Sequence, residues 1–127
     1  FIVCGKLEAH KGLAHALKPS IASGLLEQSM ADAWVQMAHD GHENNPTRQR
    51  DEAIRSASMG AMTLMLAAQG MGLVSGPMIG FDPAGVSKEF KLTVNEIPAM
   101  LVAVGIAAAG NWPQKPRLPV REVLTIV

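Results

Sequence analysis

Residues 49–71 constrain the fold more than any other part of the chain. Ile54, Ala57, Ala61, Leu64, Ala68 and Met71 recur by threes and fours, which is the spacing of one face of an α-helix. Met59, Met62, Met65 and Leu66 cover the opposite side, and between Met59 and Ala68 only Thr63 is clearly polar. A helix that is apolar all round is a buried one. The chain has 127 residues, enough for one domain. A domain of that size does not cover such a helix on every side, so a second subunit is expected to pack against it. Gly70 and Gly72 end the run, with Gly72 where a C′ glycine closes a helix.

The chain is 48% hydrophobic and 17% charged, which suits a packed core rather than disorder. Eleven basic and eleven acidic residues cancel, and a neutral chain is not built as a non-specific nucleic-acid binder. The single cysteine, Cys4, excludes an internal disulfide and fits a reducing compartment. No run reaches the roughly 18 apolar residues of a membrane span, and no signal segment is evident. A cytoplasmic protein is expected. Eight Met stand against two Trp, three Phe and no Tyr, so the core is expected to rely on adaptable thioethers.

The remaining elements follow from local patterns. Phe1 to Cys4 reads as a buried strand ending at Gly5, and such strands need neighbours on both sides. The chain is therefore expected to begin inside a fold. Residues 6–17 predict a helix with Leu13 and Leu17 on one face, stopped by Pro19. Residues 24–38 predict a second helix, with Leu26, Met30, Ala33, Trp34 and Met37 as its buried stripe. The stretch from Asp40-Gly41 to Asn45-Pro46 is dense in turn formers and reads as a loop. Leu73 to Met78 predicts a short strand. Asp82 and Pro83 predict the N-cap and first position of a helix through Phe90. Residues 97–106 predict a central strand, 107–119 an irregular segment, and 120–127 an extended tail. Strands and helices without a repeating βαβ order point to an α+β fold.

Two segments carry possible ligand chemistry. Gly76-Pro77-Met78-Ile79-Gly80 is a bend whose backbone N–H groups could face a ligand, or an ordinary strand-to-helix turn, since Gly and Pro mark turns generally. Lys115 and Arg117 are spaced i, i+2. In an extended segment they point the same way and could clamp a phosphate, or they belong to a solvated basic loop. His39 and His42 have a spacing that could serve a metal, but their polar surroundings favour a solvated turn, and no metal site is assigned. His10 and His15 read as surface residues, and Cys4 as an inert core thiol. No Ser/His/Asp set or carboxylate pair stands out. That pattern suits chemistry carried by a cofactor.

From Arg50 onward the order of segments resembles the C-terminal portion of the nitroreductase family. The carrying stretches are Arg50 to Ser58, the Met/Ala helix into Gly70-Met71-Gly72-Leu73, the run Gly76 to Pro83, and Lys115 to Val123. Residues 1–4 resemble a Phe-containing strand of the family. The resemblance implies one domain over 1–127, forming part of an α+β sandwich with a mostly antiparallel central sheet flanked by helices. It implies FMN, a homodimer with shared flavin sites, and hydride transfer from NAD(P)H through flavin N5 to nitroaromatic or quinone-type acceptors in ping-pong order. Pro77, Met78, Ile79 and Gly80 would lie beside the flavin ring, with Lys115 and Arg117 on its phosphate. No side chain is assigned a catalytic role. The family's N-terminal Arg-rich phosphate motif, and the segment with its flavin-contacting Asn, are expected to be missing before Phe1. The alternative is a flavin-free dimerising remnant of the fold.

Overall fold

The computed structural model describes residues 1–113 and 115–127. Three strands, β1 (Ile2–Lys6), β2 (Val74–Met78) and β3 (Glu96–Gly105), form one antiparallel sheet in the order β1-β3-β2. Five helices, α1 (Leu13–Ala22), α2 (Gln28–His42), α3 (Pro46–Gly70), α4 (Pro83–Glu89) and α5 (Val120–Val123), and a 3-10 turn over Ala9–Gly12 complete the described elements. The α+β class and the antiparallel sheet are as the sequence predicts.

The helix α3 lies against all three strands. Ala53, Ala57, Ala61 and Ala68 are its buried residues. Their spacing by fours and by seven makes one narrow stripe, and side chains no larger than a methyl let the helix backbone approach the sheet. Val102, at the middle of β3, is the one large side chain fully buried among the described residues. Asn45 caps the helix: its side-chain oxygen accepts from the Arg48 amide at 3.0 Å, with Pro46 at the first position. This is the arrangement that satisfies an orphan first-turn donor. At the other end the Gly72 amide donates to Gln69 (3.0 Å) and the Leu73 amide to Ala68 (2.9 Å), with Gly72 at φ 75°. That is a Schellman closure. The glycine stands where the sequence puts it.

Within the single chain the burial of α3 is one-sided. Met59, Met62 and Leu66 are exposed, while Ala61 is 0% exposed within the single chain. Ala61 is therefore a core residue of the subunit, and its contact is with the chain's own sheet.

Three expectations are corrected. Pro19 lies inside α1 and does not stop it. Its ring fixes a helix-compatible φ and removes only one donor. The stop comes later, where the Gly24 amide donates to Ile21 and the Leu25 amide to Ser20, each at 3.0 Å, with Gly24 at φ 73°. Next, α2 starts at Gln28 and runs through Asp40-Gly41 to His42. Its buried residue is Ala31, with Val35, Ala38 and His42 half-buried in the same register. Met30, Trp34 and Met37, read from the sequence as the inward stripe, are exposed. The helix persists past its turn formers because its end is held from outside: the Gln49 side-chain amide donates to the His42 carbonyl at 2.8 Å. Last, the tail contains the single turn α5 rather than a wholly extended run.

The central strand contains a buried proline, Pro98. Pro lacks the ladder donor and is confined to edges and bulges. Here the register steps from Val3 opposite Met100 to Cys4 opposite Pro98, so Ala99 is the extra residue of a bulge. The bulge is what admits the proline.

Candidate functional site

The strand β2 is an edge strand, paired only with β3, with Pro77 opposite Val102 and Met78 opposite Leu101. Pro77 is tolerated there because an edge strand can spare a donor. Ile79 and Gly80 follow directly. All four residues are exposed, Ile79 at 75%. The chain then turns into α4, whose cap forms as expected: the Asp82 carboxylate accepts from the Ala84 amide at 3.0 Å.

The φ of Gly80 is not positive, and a Cβ built on it meets no described atom within 4 Å. The fold itself does not require glycine at this position. Any such requirement comes from a bound group.

The other half of the candidate site lies at the start of β2. A groove of about 670 Å³ is lined by Val74, Ser75 and Gly76, by Ala103, Val104 and Gly105 of β3, and by Asn111, Trp112, Pro113 and Lys115. Small residues on two paired strands make its floor shallow. The Lys115 ammonium stands 5.9 Å from the centroid of the Trp112 ring, within cation–π range. Arg117 is exposed two residues further on and is not among the residues lining the groove. The structure thus brings Lys115 to the start of β2, while Pro77 to Gly80 and Arg117 lie outside the lining of this groove. The roles of Asn111 and Trp112 were not legible in the sequence. They follow an irregular run, and no pattern there signals a contact with β2.

A second cleft, of about 520 Å³, lies between β1 and α3. Cys4, Lys6, His10, His42, Glu52 and Ser56 are among its lining residues. Burial pushes the Cys4 thiol up, and the charge of Glu96 adds to the shift. The thiol is therefore disfavoured as a thiolate, in line with an inert core cysteine. His10 corrects the surface reading: its side chain is 2% exposed. His39 and His42 lie on α2 rather than in a solvated turn. Among the described residues no three His, Cys, Asp or Glu side chains gather as a metal set. No described helix is long and apolar enough to cross a membrane.

The sequence profile of the nitroreductase family matches residues 6–106. The chain belongs to that family. It is 32% identical over 123 residues to MhqN of Bacillus subtilis strain 168, a protein provisionally named as an NAD(P)H nitroreductase. The match covers 95% of this chain and 60% of MhqN. Among solved structures it resembles ydfN of Bacillus subtilis, provisionally a nitroreductase, with a TM-score of 0.87, 30% identity, and coverage of 98% of this chain and 61% of that one. It also has the fold of a provisionally assigned nitroreductase of Exiguobacterium sibiricum, solved in complex with FMN, with a TM-score of 0.83, 24% identity, and coverage of 97% and 59%.

Proposed function

We propose that the chain is part of an FMN-dependent oxidoreductase that takes a hydride from NAD(P)H and delivers it to nitroaromatic or quinone-type acceptors in ping-pong order. The observation that carries this reading is the placement of Lys115 beside Val74–Gly76 of the strand that ends in Pro77-Met78-Ile79-Gly80. Three residues along a strand span about 10 Å. An anion at Lys115 and a planar ring against the bend are thus separated by a distance that a ribityl chain bridges.

The residues fit such a group. The exposed edge at 77–80 carries no side chain that blocks approach at Gly80, and the groove at 74–76 has small residues for its floor and a cation at its rim. When bound, FMN supplies N5 as the hydride acceptor and donor. The chain's own residues bind and orient. The backbone N–H groups of Met78, Ile79 and Gly80 would be offered to the ring, with Ile79 acting through its main chain, while Pro77 has no N–H to give. Lys115 would act as a point charge on the phosphate. Arg117, exposed outside the groove, would add its fork only if the irregular segment rearranges. No side chain transfers a proton in this scheme. The same reading takes a homodimer with a shared site, for which the exposed Met59, Met62 and Leu66 face of α3 provides an apolar surface, and a cytoplasmic setting.

The test is an FMN titration of the chain followed by flavin fluorescence, paired with NADPH and NADH oxidation in the presence of a quinone. Saturable FMN binding and acceptor-dependent oxidation are expected. A chain that binds no FMN and oxidises neither nucleotide would leave the flavin-free remnant as the reading.

A further inference from the structure

Trp112 is the one aromatic side chain among the described residues that line the groove at the start of β2. It is 85% exposed and adds little to the core. Its ring faces a cation instead. The Lys115 ammonium lies over it, 5.9 Å from the centroid, within the range over which a ring quadrupole attracts a positive charge. Of the aromatic side chains, Trp offers the strongest such face.

The local sequence favours this pairing. The run is Trp112-Pro113-Gln114-Lys115-Pro116. Trp112 and Lys115 each precede a proline, and a residue before proline is biased to an extended backbone. A proline-rich extended chain has about three residues per turn, so positions i and i+3 share a side. The three-residue spacing of Trp112 and Lys115 therefore suits a contact between their side chains. Neither residue lies in a helix or a strand.

The pairing bears on how the groove holds an anion. Lys115 is the one cation lining it among the described residues, with Arg117 outside. A lysine carries its charge on a flexible four-carbon stem, and fixing that stem costs rotamer entropy. An ammonium that already rests against a ring at the rim loses less freedom when an anion arrives. A ring also leaves the charge in place, where a carboxylate would neutralise it.

We propose that Trp112 is a positioning residue for the anion end of the groove: its indole face holds the Lys115 ammonium at the rim, where it meets the phosphate of the flavin nucleotide. The role rests on the flavin reading of the same groove.

The test compares FMN and riboflavin dissociation constants, by flavin fluorescence, for the unmutated chain, Trp112→Leu, Trp112→Phe, Lys115→Ala and the double variant Trp112→Leu with Lys115→Ala. Trp112→Leu keeps apolar bulk and loses the ring face. It is expected to weaken FMN binding about two- to fivefold, the scale of an exposed cation–π contact. Trp112→Phe keeps a ring and should recover part of that loss. Riboflavin lacks the phosphate, so its affinity should be the same in all five proteins. In the Lys115→Ala background Trp112→Leu should cost nothing more, because the two residues act as one unit. Melting temperatures should stay level, since Trp112 is exposed. Unchanged or tighter FMN binding in Trp112→Leu, an equal loss of riboflavin, or additive losses in the double variant would overturn the positioning role and leave the flavin reading standing. An unmutated chain that binds no FMN would overturn both.

Discussion

Gly5 and Ala53 stand so close that a Cβ on Gly5 would lie 2.6 Å from the Ala53 carbonyl oxygen and 3.0 Å from the Ala53 methyl. Gly5 is the buried residue of β1, and Ala53 begins the buried stripe of α3. The chain thus sets its helix-to-sheet distance by two of the smallest residues, at the point where β1 crosses α3. The obstacle to a larger residue is backbone, which cannot swing aside as a side-chain end would.

Gly5→Ala is therefore expected to destabilise by about 1–3 kcal/mol, the usual range for overpacking a tight core. Ala53→Gly in the same background does not relieve the contact with the carbonyl oxygen and adds a helix cost of about 1 kcal/mol. Urea denaturation of the parent, the single and the double variant checks this. A Gly5→Ala chain as stable as the parent would mean that β1 and α3 can move apart freely.

Ala61→Glu is expected to unfold the subunit, with the cost of an unpaired buried carboxylate running to several kcal/mol. Its side chain would enter the packing against the sheet, since Ala61 is fully buried in the single chain. Loss of helical circular dichroism should accompany the loss of any dimer. Met62→Glu is the control: Met62 is exposed on the subunit, so its substitution should leave the fold intact and lower self-association only. A folded Ala61→Glu monomer would contradict the packing of α3 described above.

Legibility followed the range of the interactions. Caps are local: Gly72 and Asp82 do what the sequence foretells, while Asn45-Pro46, read as the end of a loop, caps and opens α3. The strands expected over 73–78 and 97–106 were also readable as short runs bounded by turn formers, and they form over Val74–Met78 and Glu96–Gly105. What the sequence did not show was non-local. The end of α2 is held by Gln49 and Glu52 from the next helix, so a glycine-containing stretch read as a loop stays helical. The inward face of α2 belongs to Ala31 and Ala38 rather than to Trp34 and Met37, because neighbours that approach closely want small residues. A hydrophobic count favours the larger ones. The link between His10 and Glu43 spans 33 residues, and no local pattern marks it. In the candidate site, the placement of Lys115 against the start of β2 and beside Trp112 is non-local, and no pattern in the sequence marks either.

Glu96 gives a pH-dependent prediction. Hydrogen bonds from the Thr93 amide (2.8 Å) and hydroxyl (2.9 Å) hold its carboxyl below the ordinary value, with the amide the larger cause. A depressed carboxylate contributes stability that is present above its unfolded pKa, about 4.3, and is lost as pH falls through the lower folded value. Glu96→Gln should therefore melt lower than the parent near neutrality, and the gap should close as pH drops below about 4. Thermal melts at a series of pH values measure it. A gap that stayed constant with pH would show that the charge of Glu96 contributes nothing.

The phosphate half of the proposed flavin site is the sharpest point to test, because sequence and structure weigh its two cations differently. Lys115 lines the groove, and Arg117 lies outside it. Hydrogen bonds to a charged group contribute about 1.5–3 kcal/mol, which is about tenfold or more in affinity. Lys115→Ala is expected to weaken FMN binding by that factor. Arg117→Ala should weaken it comparably only if the segment rearranges to bring the guanidinium in, and Arg121→Ala, on the short helix α5, should change it little. Gly80→Val should also lower FMN occupancy while leaving the melting temperature nearly unchanged, because a side chain there meets no described atom of the fold. Riboflavin separates the two halves of the site, since it keeps the ring and lacks the phosphate: Lys115→Ala should leave riboflavin affinity untouched, and Gly80→Val should reduce it. An equal loss of riboflavin and FMN affinity in Lys115→Ala would remove the phosphate from this groove, and full FMN loading of Gly80→Val would remove the ring from the bend.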